Sequence, residues 1–207
     1  MTKTDTTRNR KATEDRLREA LKTVLVAKGF GGLTPGAIAA VAGVDKMLIY
    51  RYFGGLAGLV EDLAQRPDFF PTLEEICDGA PDLIRALPVP ERATKVTLGY
   101  ARLLLARPVV LELMVWELVE RNELTAIMET ARETTGLRIV SELFGDVSGE
   151  GQASLGAITG LLGAAVTYLA IRQRKIRWFN GVDIKSEGGW LEIEAGVRLM
   201  TSALGQN

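Results

Sequence analysis

The sequence predicts an all-α protein, and three observations carry that reading. Apolar residues recur at spacings of three and four along most of the chain, no stretch keeps up a strand-like alternation, and glycine or proline separates the segments. With 207 residues, 47% of them hydrophobic and 25% charged, the chain is long and apolar enough to bury one or two cores. The first helix is expected to start near Thr13, whose hydroxyl can cap free amides while Glu14 and Asp15 favour the positive end of the dipole, and to stop at Gly29. Its buried stripe is Leu17, Leu21, Val24 and Leu25. Thr34-Pro35, an N-cap followed by proline at the first helical position, opens a short second helix that Gly43 ends.

Beyond Arg66 the prolines at 67, 71, 81, 88, 90 and 108 cut the chain into short helices or turns, which puts a domain boundary near residue 67. The expected domains are 1–66 and 67–207. Longer helices are expected over roughly 89–106, 108–121, 122–144, 152–178 and 187–204. No internal repeat or low-complexity tract interrupts them.

Composition removes many kinds of chemistry. With no histidine and a single cysteine, Cys77, the chain has no Ser-His-Asp or Cys-His triad, no His-based metal or haem site and no intramolecular disulfide. No cofactor and no metal are expected. The polar start, Met1 to Arg10, and the sparse cysteine point to a reducing, cytoplasmic setting. The net charge of -1 hides an asymmetry: 11 Lys and Arg against 7 Asp and Glu give +4 over 1–66, while 14 against 19 give -5 over 67–207. Arg8, Arg10, Lys11, Arg16 and Arg18 cluster at the basic end, as either an arm that meets a polyanion or an ordinary solvated terminus.

The informative stretch runs from Ile38 to Phe53. Two short helices crossing steeply over a tight turn need a small residue at the crossing, a glycine for the left-handed turn and β-branched plugs around it. Ala39, Gly43, Val44 and Ile49 supply these in the spacing of a helix-turn-helix, and Asp45 is placed to cap the third helix. A plain αα-hairpin would use the same residues. In the third helix, however, Ile49 and Phe53 can pack while Lys46, Tyr50 and Arg51 project, which is what a DNA-reading helix requires. Tyr50 and Tyr52 also fit core aromatics with hydroxyls at the surface.

Gly29-Phe30, Leu33-Thr34, Ile38-Ala39, Ala42-Gly43-Val44 and Leu48-Ile49-Tyr50-Arg51-Tyr52-Phe53 together resemble the tetracycline-repressor (TetR) family of bacterial transcription regulators, over about residues 13 to 60. The resemblance implies an N-terminal three-helix head that binds a double-stranded DNA operator, joined to a variable helical domain for dimerisation and for a small-molecule inducer. Carried over residue by residue, Thr34, Lys46, Tyr50 and Tyr52 match positions that meet phosphates or bases. Arg51, Arg10 and Lys11 add charge for the polyanion. The chain departs from the family at Met47-Leu48, where a small or polar pair is common and where only apolar contact with bases remains, and at Gly55-Leu56, where an expected lysine is missing. Binding should depend steeply on salt.

From Ala153 to Ile171, nineteen residues carry no charge. Length alone would pass a transmembrane screen, yet the glycines and threonines favour a helix buried on most sides, with Gly156, Gly160, Gly163 and Thr167 as a close-packing stripe and no membrane involved. Trp190, Ile193, Val197, Met200 and Leu204 form a seam on the last helix. In the resembled family the last two long helices make a four-helix homodimer interface, a role these two stripes suit; closure of the monomer core is the other reading.

The inducer pocket leaves the weakest trace. Residues 109–119 are apolar except for Glu112 and Glu117, with Arg102, Arg107 and Arg121 as possible ion-pair partners. Tyr100, Glu112, Trp116, Met128, Thr135 and Tyr168 are the candidate lining, although residues of these kinds at helical spacings are more often plain core. An enzyme using Glu112 and Glu117 as acid and base is discounted, since on a helix they diverge by about 140°. The reading is a homodimeric repressor released by a small molecule, with a helical dimeric adaptor that does not bind DNA as the alternative.

Overall fold

The computed structural model describes residues 3–147 and 150–205, with side chains for 9–147 and 155–204. The side chains of Arg8, Ala153 and Ser154 lie outside the described residues. The elements in order are α1 (Lys3–Lys28), α2 (Pro35–Ala42), α3 (Met47–Phe53), α4 (Leu56–Ala64), α5 (Leu73–Ile76), α6 (Pro81–Arg85), α7 (Val89–Leu105), α8 (Pro108–Glu117), α9 (Glu123–Phe144) and α10 (Glu150–Arg172). They continue with a hairpin, β1 (Trp178–Phe179) and β2 (Val182–Asp183), and with α11 (Glu187–Ser202). The protein is all-α. It forms two compact units: Met1–Phe70 with Glu112–Thr134, and Pro71–Leu111 with Thr135–Asn207. The division at Phe70 lies close to the sequence boundary at 66/67, and the structure adds Glu112–Thr134 to the N-terminal unit.

In the N-terminal unit α1 packs on α2 and α4, and α3 on α4, around a core that includes Leu17, Leu21, Leu25, Ile38, Ile49, Leu59 and Leu63. α1 starts about three turns earlier than expected. Thr13 is a buried mid-helix residue whose hydroxyl donates to the Asn9 carbonyl at 2.9 Å, so it is no cap. Within this longer helix Arg10 pairs with Glu14 at 2.8 Å, one turn apart.

A glycine conformation decides how α1 ends. Gly29 has φ +68°, and a Cβ there would stand 2.7 Å from the Trp116 ring, so only glycine lets the indole close on the turn after α1. Trp116 thus takes part in N-terminal packing, which no local pattern in the sequence encodes. Its indole N–H is buried without a hydrogen-bond partner. Glu117 beside it pairs with Arg132 at 2.8 Å rather than with Arg102, Arg107 or Arg121, and burial pushes its carboxyl pKa up against the pull of that arginine. Arg121 instead pairs with Glu129.

In the C-terminal unit α7 packs against α10 and α11. Leu73, Ile76, Cys77, Ala93, Ile139, Leu143, Phe144 and Leu155 form a core cluster, against which Tyr100 packs. Arg92 is buried here, where it donates to the Leu143 carbonyl at 2.6 Å and to Asp146 at 2.6 Å, so its charge is paired and its donors are used. Thr72 and Glu75 form a capping box on α5, and Arg107 reaches Glu75 at 2.6 Å. Burial pushes the Glu75 carboxyl up, but the Thr72 amide and hydroxyl and the Arg107 guanidinium outweigh it and hold the group below its usual range. Arg102 reaches Asp78.

Two further expectations need correction. The helix expected to run to 178 stops at Arg172 and a two-residue β-hairpin follows, with Asn180 (φ 47°) and Gly181 (φ 84°) in left-handed conformations at its turn. The apolar run is also far from buried on most sides: of its 18-residue stretch Leu155–Arg172, long and apolar enough by length and composition to cross a membrane, 22% is buried.

Candidate nucleic-acid interface

The turn between α2 and α3 is built as its residues require. Thr34 caps α2, its hydroxyl accepting from the Ala37 amide at 3.1 Å, with Pro35 at the first helical position. Gly43 ends α2 at φ 64°, ψ 40°, and the Val44 amide donates to the Ala39 carbonyl at 3.1 Å. Asp45 then accepts from the Met47 amide at 2.7 Å, which satisfies one of the free donors at the start of α3.

On the seven-residue α3, Ile49 is fully buried and sets the inward direction. At about 100° per residue, Met47 points roughly opposite to it, with Arg51 about 40° and Tyr50 about 60° to either side and Lys46 about 100° away. Exposure follows this geometry: Met47 is 60% and Tyr50 50% exposed, Lys46 and Arg51 are exposed, and Leu48, Tyr52 and Phe53 are half-buried. The helix therefore presents an apolar centre flanked by two cations and a phenol.

Of the basic run in α1, Arg10 reaches α3 at its flank, about 140° round the helix from Met47, with its guanidinium 4.9 Å from the centre of the half-buried Tyr52 ring. Lys11 is exposed next to it. Arg18 is committed elsewhere. It pairs with Asp62 at 2.5 Å and Asp15 at 2.7 Å and sits over the Phe53 ring at 5.5 Å, and the Asp62 hydrogen bond raises its pKa further. The sequence reading missed this α1–α4 clamp because its partners lie 44 residues apart.

The other candidate residues fall in different places. Glu112, Trp116 and Met128 belong to the N-terminal unit, where Met128 is fully buried; Tyr100, Thr135 and Tyr168 belong to the other. Tyr168 is exposed on α10 and meets the Phe179 ring edge-on at 5.6 Å. On α11 the expected seam turns largely inward: Val197 is 2% exposed, Ile193 and Trp190 are half-buried, and the Trp190 indole donates to the Ile184 carbonyl at 3.0 Å. Of that seam Met200 is exposed, and the outward line is Leu191, Ala195 and Leu199. On α10, Gly156 and Gly160 face outward with Ala157, Leu161, Ala164 and Tyr168, whereas Gly163 and Thr167 are half-buried.

A tight turn between crossing helices, with a cationic outward face on the second, defines a helix-turn-helix DNA-binding domain. Residues 17–63 match the bacterial regulatory proteins of the tetR family, so the N-terminal head carries the DNA-binding domain of that family. The fold agrees along nearly the whole length. A fatty acid degradation regulator, FadR, from Bacillus halodurans shares 20% identity at a TM-score of 0.57, covering 94% of this chain and 95% of that one. A tetR-family transcription regulator from Shewanella sp. PV-4 shares 17% at 0.56, covering 93% and 95%. A TetR-like transcriptional regulator from Rhodococcus sp. RHA1 shares 19% at 0.56, covering 93% of each. No curated protein matches the chain.

Proposed function

We propose that the protein is a cytoplasmic, homodimeric repressor that binds an operator through α3 and is released by a small molecule, and that it is a binding protein, not an enzyme. The observation that carries the reading is the outward face of α3, where Lys46, Tyr50 and Arg51 project while Ile49 anchors the helix. Met47, at the centre of that face, meets base edges. Lys46, Tyr50 and Arg51 bind phosphates or bases, Thr34 and Lys11 add phosphate contacts, and Arg10 stacked on Tyr52 extends the contact along the backbone. Leu48, half-buried, supports the helix from its side.

The dimer is proposed to form through the exposed apolar faces of α10 and α11, with Gly156, Gly160, Leu161, Leu191, Leu199 and Met200 at its centre. A monomer would leave the uncharged face of α10 in water, while on α11 the apolar line runs beside the Arg198–Glu194 pair. Trp190, Ile193 and Val197 support it from the inside, as do Gly163 and Thr167. For the inducer, the C-terminal unit supplies Tyr100 and Thr135, while Glu112, Trp116 and Met128 serve N-terminal packing. An inducer acts only through a difference in affinity between two arrangements of the dimer, one of which spaces its heads at about 34 Å to match successive major grooves.

Fluorescence anisotropy of the full chain against a duplex selected from a random-sequence library, with a scrambled duplex beside it across a salt series, tests the reading. The expected result is preference for the selected duplex and a log–log salt slope steeper than about -4, one unit for each phosphate contact neutralised by Lys46, Arg51 and their dimer mates. Equal, weak binding to both duplexes would favour the adaptor.

A further inference from the structure

The centre of the α3 face has an unusual chemistry for a group that reads bases. Met47 is directed away from the buried Ile49 and is 60% exposed, yet it has no donor and only a weak thioether acceptor. The cations on its flanks, Lys46 and Arg51, and the Tyr50 hydroxyl lie to the sides, where the backbone of a bound duplex runs on either wall of the groove. A side chain at the middle of the face thus enters the major groove without the means to exchange a hydrogen bond with a base edge.

The floor of that groove offers one apolar group that stands out into it, the C5 methyl of thymine; cytosine has only a hydrogen at that place, and the groups that identify the bases there are otherwise hydrogen-bond donors and acceptors. Placing the Met47 thioether over a donor or acceptor would strip that group of water without replacing its hydrogen bond, whereas placing it over a methyl buries apolar surface on both sides. Methionine also suits the task mechanically, because its unbranched, polarisable chain adapts to a methyl whose position shifts with local twist.

We propose that Met47 is a specificity-determining residue that reads a thymine C5 methyl in each operator half-site, so that the ligand class of α3 is methyl-bearing duplex DNA. This rests on the DNA-binding reading above. It commits the operator to thymine at the base pair under Met47, with sequence preference there carried by the methyl and not by a hydrogen bond.

The test is a double-mutant cycle by anisotropy, with the full chain and its Met47→Ala variant each titrated with a library-selected duplex made either with thymine or with deoxyuridine, which lacks only the methyl. Deoxyuridine should weaken the native chain about fourfold per methyl contact and about fifteenfold over two half-sites, and the loss should vanish in Met47→Ala. Circular dichroism should be unchanged in the variant, since the side chain is exposed. Equal affinity of the native chain for the two duplexes overturns the inference while leaving the regulator reading intact. A deoxyuridine loss that persists in Met47→Ala assigns the methyl to another residue and also overturns it. Binding to neither duplex would sink the regulator reading itself and the inference with it.

Discussion

Two helix faces of this protein expose large apolar side chains to solvent, and their surroundings differ. On α3, Met47 and Tyr50 sit between Lys46 and Arg51. On α10, Leu161 (72% exposed) sits among Ala157, Gly160, Ala164 and Ala165 with no charge within two turns of it, and the first cation, Arg172, stands over the Tyr168 ring at 5.9 Å at the far end. An apolar centre with cations at its edges fits a groove whose walls are phosphates and whose floor carries methyls. An apolar face with small residues and no charges fits another helix at close range, and the nearest source of such a helix is a second copy of the chain. Hydrophobic exposure alone does not distinguish a DNA surface from a protein surface; the charges within one helical turn of it do.

Three variants break or sharpen this contrast. The largest effect is expected from Leu161→Asp, which would place a carboxylate in the apolar α10 interface. The desolvation cost of several kcal/mol should raise the dimer dissociation constant about 10²–10³-fold in sedimentation, with helix content unchanged because the site is exposed in the monomer. Next, Tyr50→Ala combined with Arg51→Ala should weaken duplex binding about 10- to 100-fold in anisotropy while the dimer sediments as before, since charge-assisted hydrogen bonds at α3 play no part at α10. The smallest effect is expected from Thr34→Ala. Losing the cap on α2 should cost about 1 kcal/mol and lower Tm by about 2–4 °C in a thermal melt, a loss that Thr34→Ser largely restores.

Much of the head could be read from the chain because its signals are local. The Thr34-Pro35 cap, the left-handed Gly43 and the anchoring Ile49 each act within a few residues of their partners, and all three stand as the sequence predicts. So do the starts of α7 and α8 at Val89 and Pro108. The basic run misled in part, since composition cannot tell Arg10, stacked on Tyr52, from Arg18, which is consumed by Asp62 across the unit. The hairpin at Asn180-Gly181 was present in the sequence as a turn signal, but strands of two residues are too short to show alternation.

Determined by the sequence alone were the helical class, the helix-turn-helix, the residues that project from α3, and the excess of positive charge at that end, all consequences of spacing and of nearest-neighbour chemistry. Decided only by tertiary structure were the ownership of Glu112–Thr134 by the N-terminal unit, the seating of Trp116 on Gly29, and which faces of α10 and α11 look outward. A helix that is apolar nearly all round has no periodicity from which to read its buried side, so α10 could not declare its exposed face. On α11 the seam of Trp190, Ile193 and Val197 is amphipathic enough to be seen, but a stripe carries no label for whether it meets its own subunit or another. Only packing partners that are distant in sequence, here α7 against α10 and α11, assign the side, because burial belongs to the assembled layers and not to the helix.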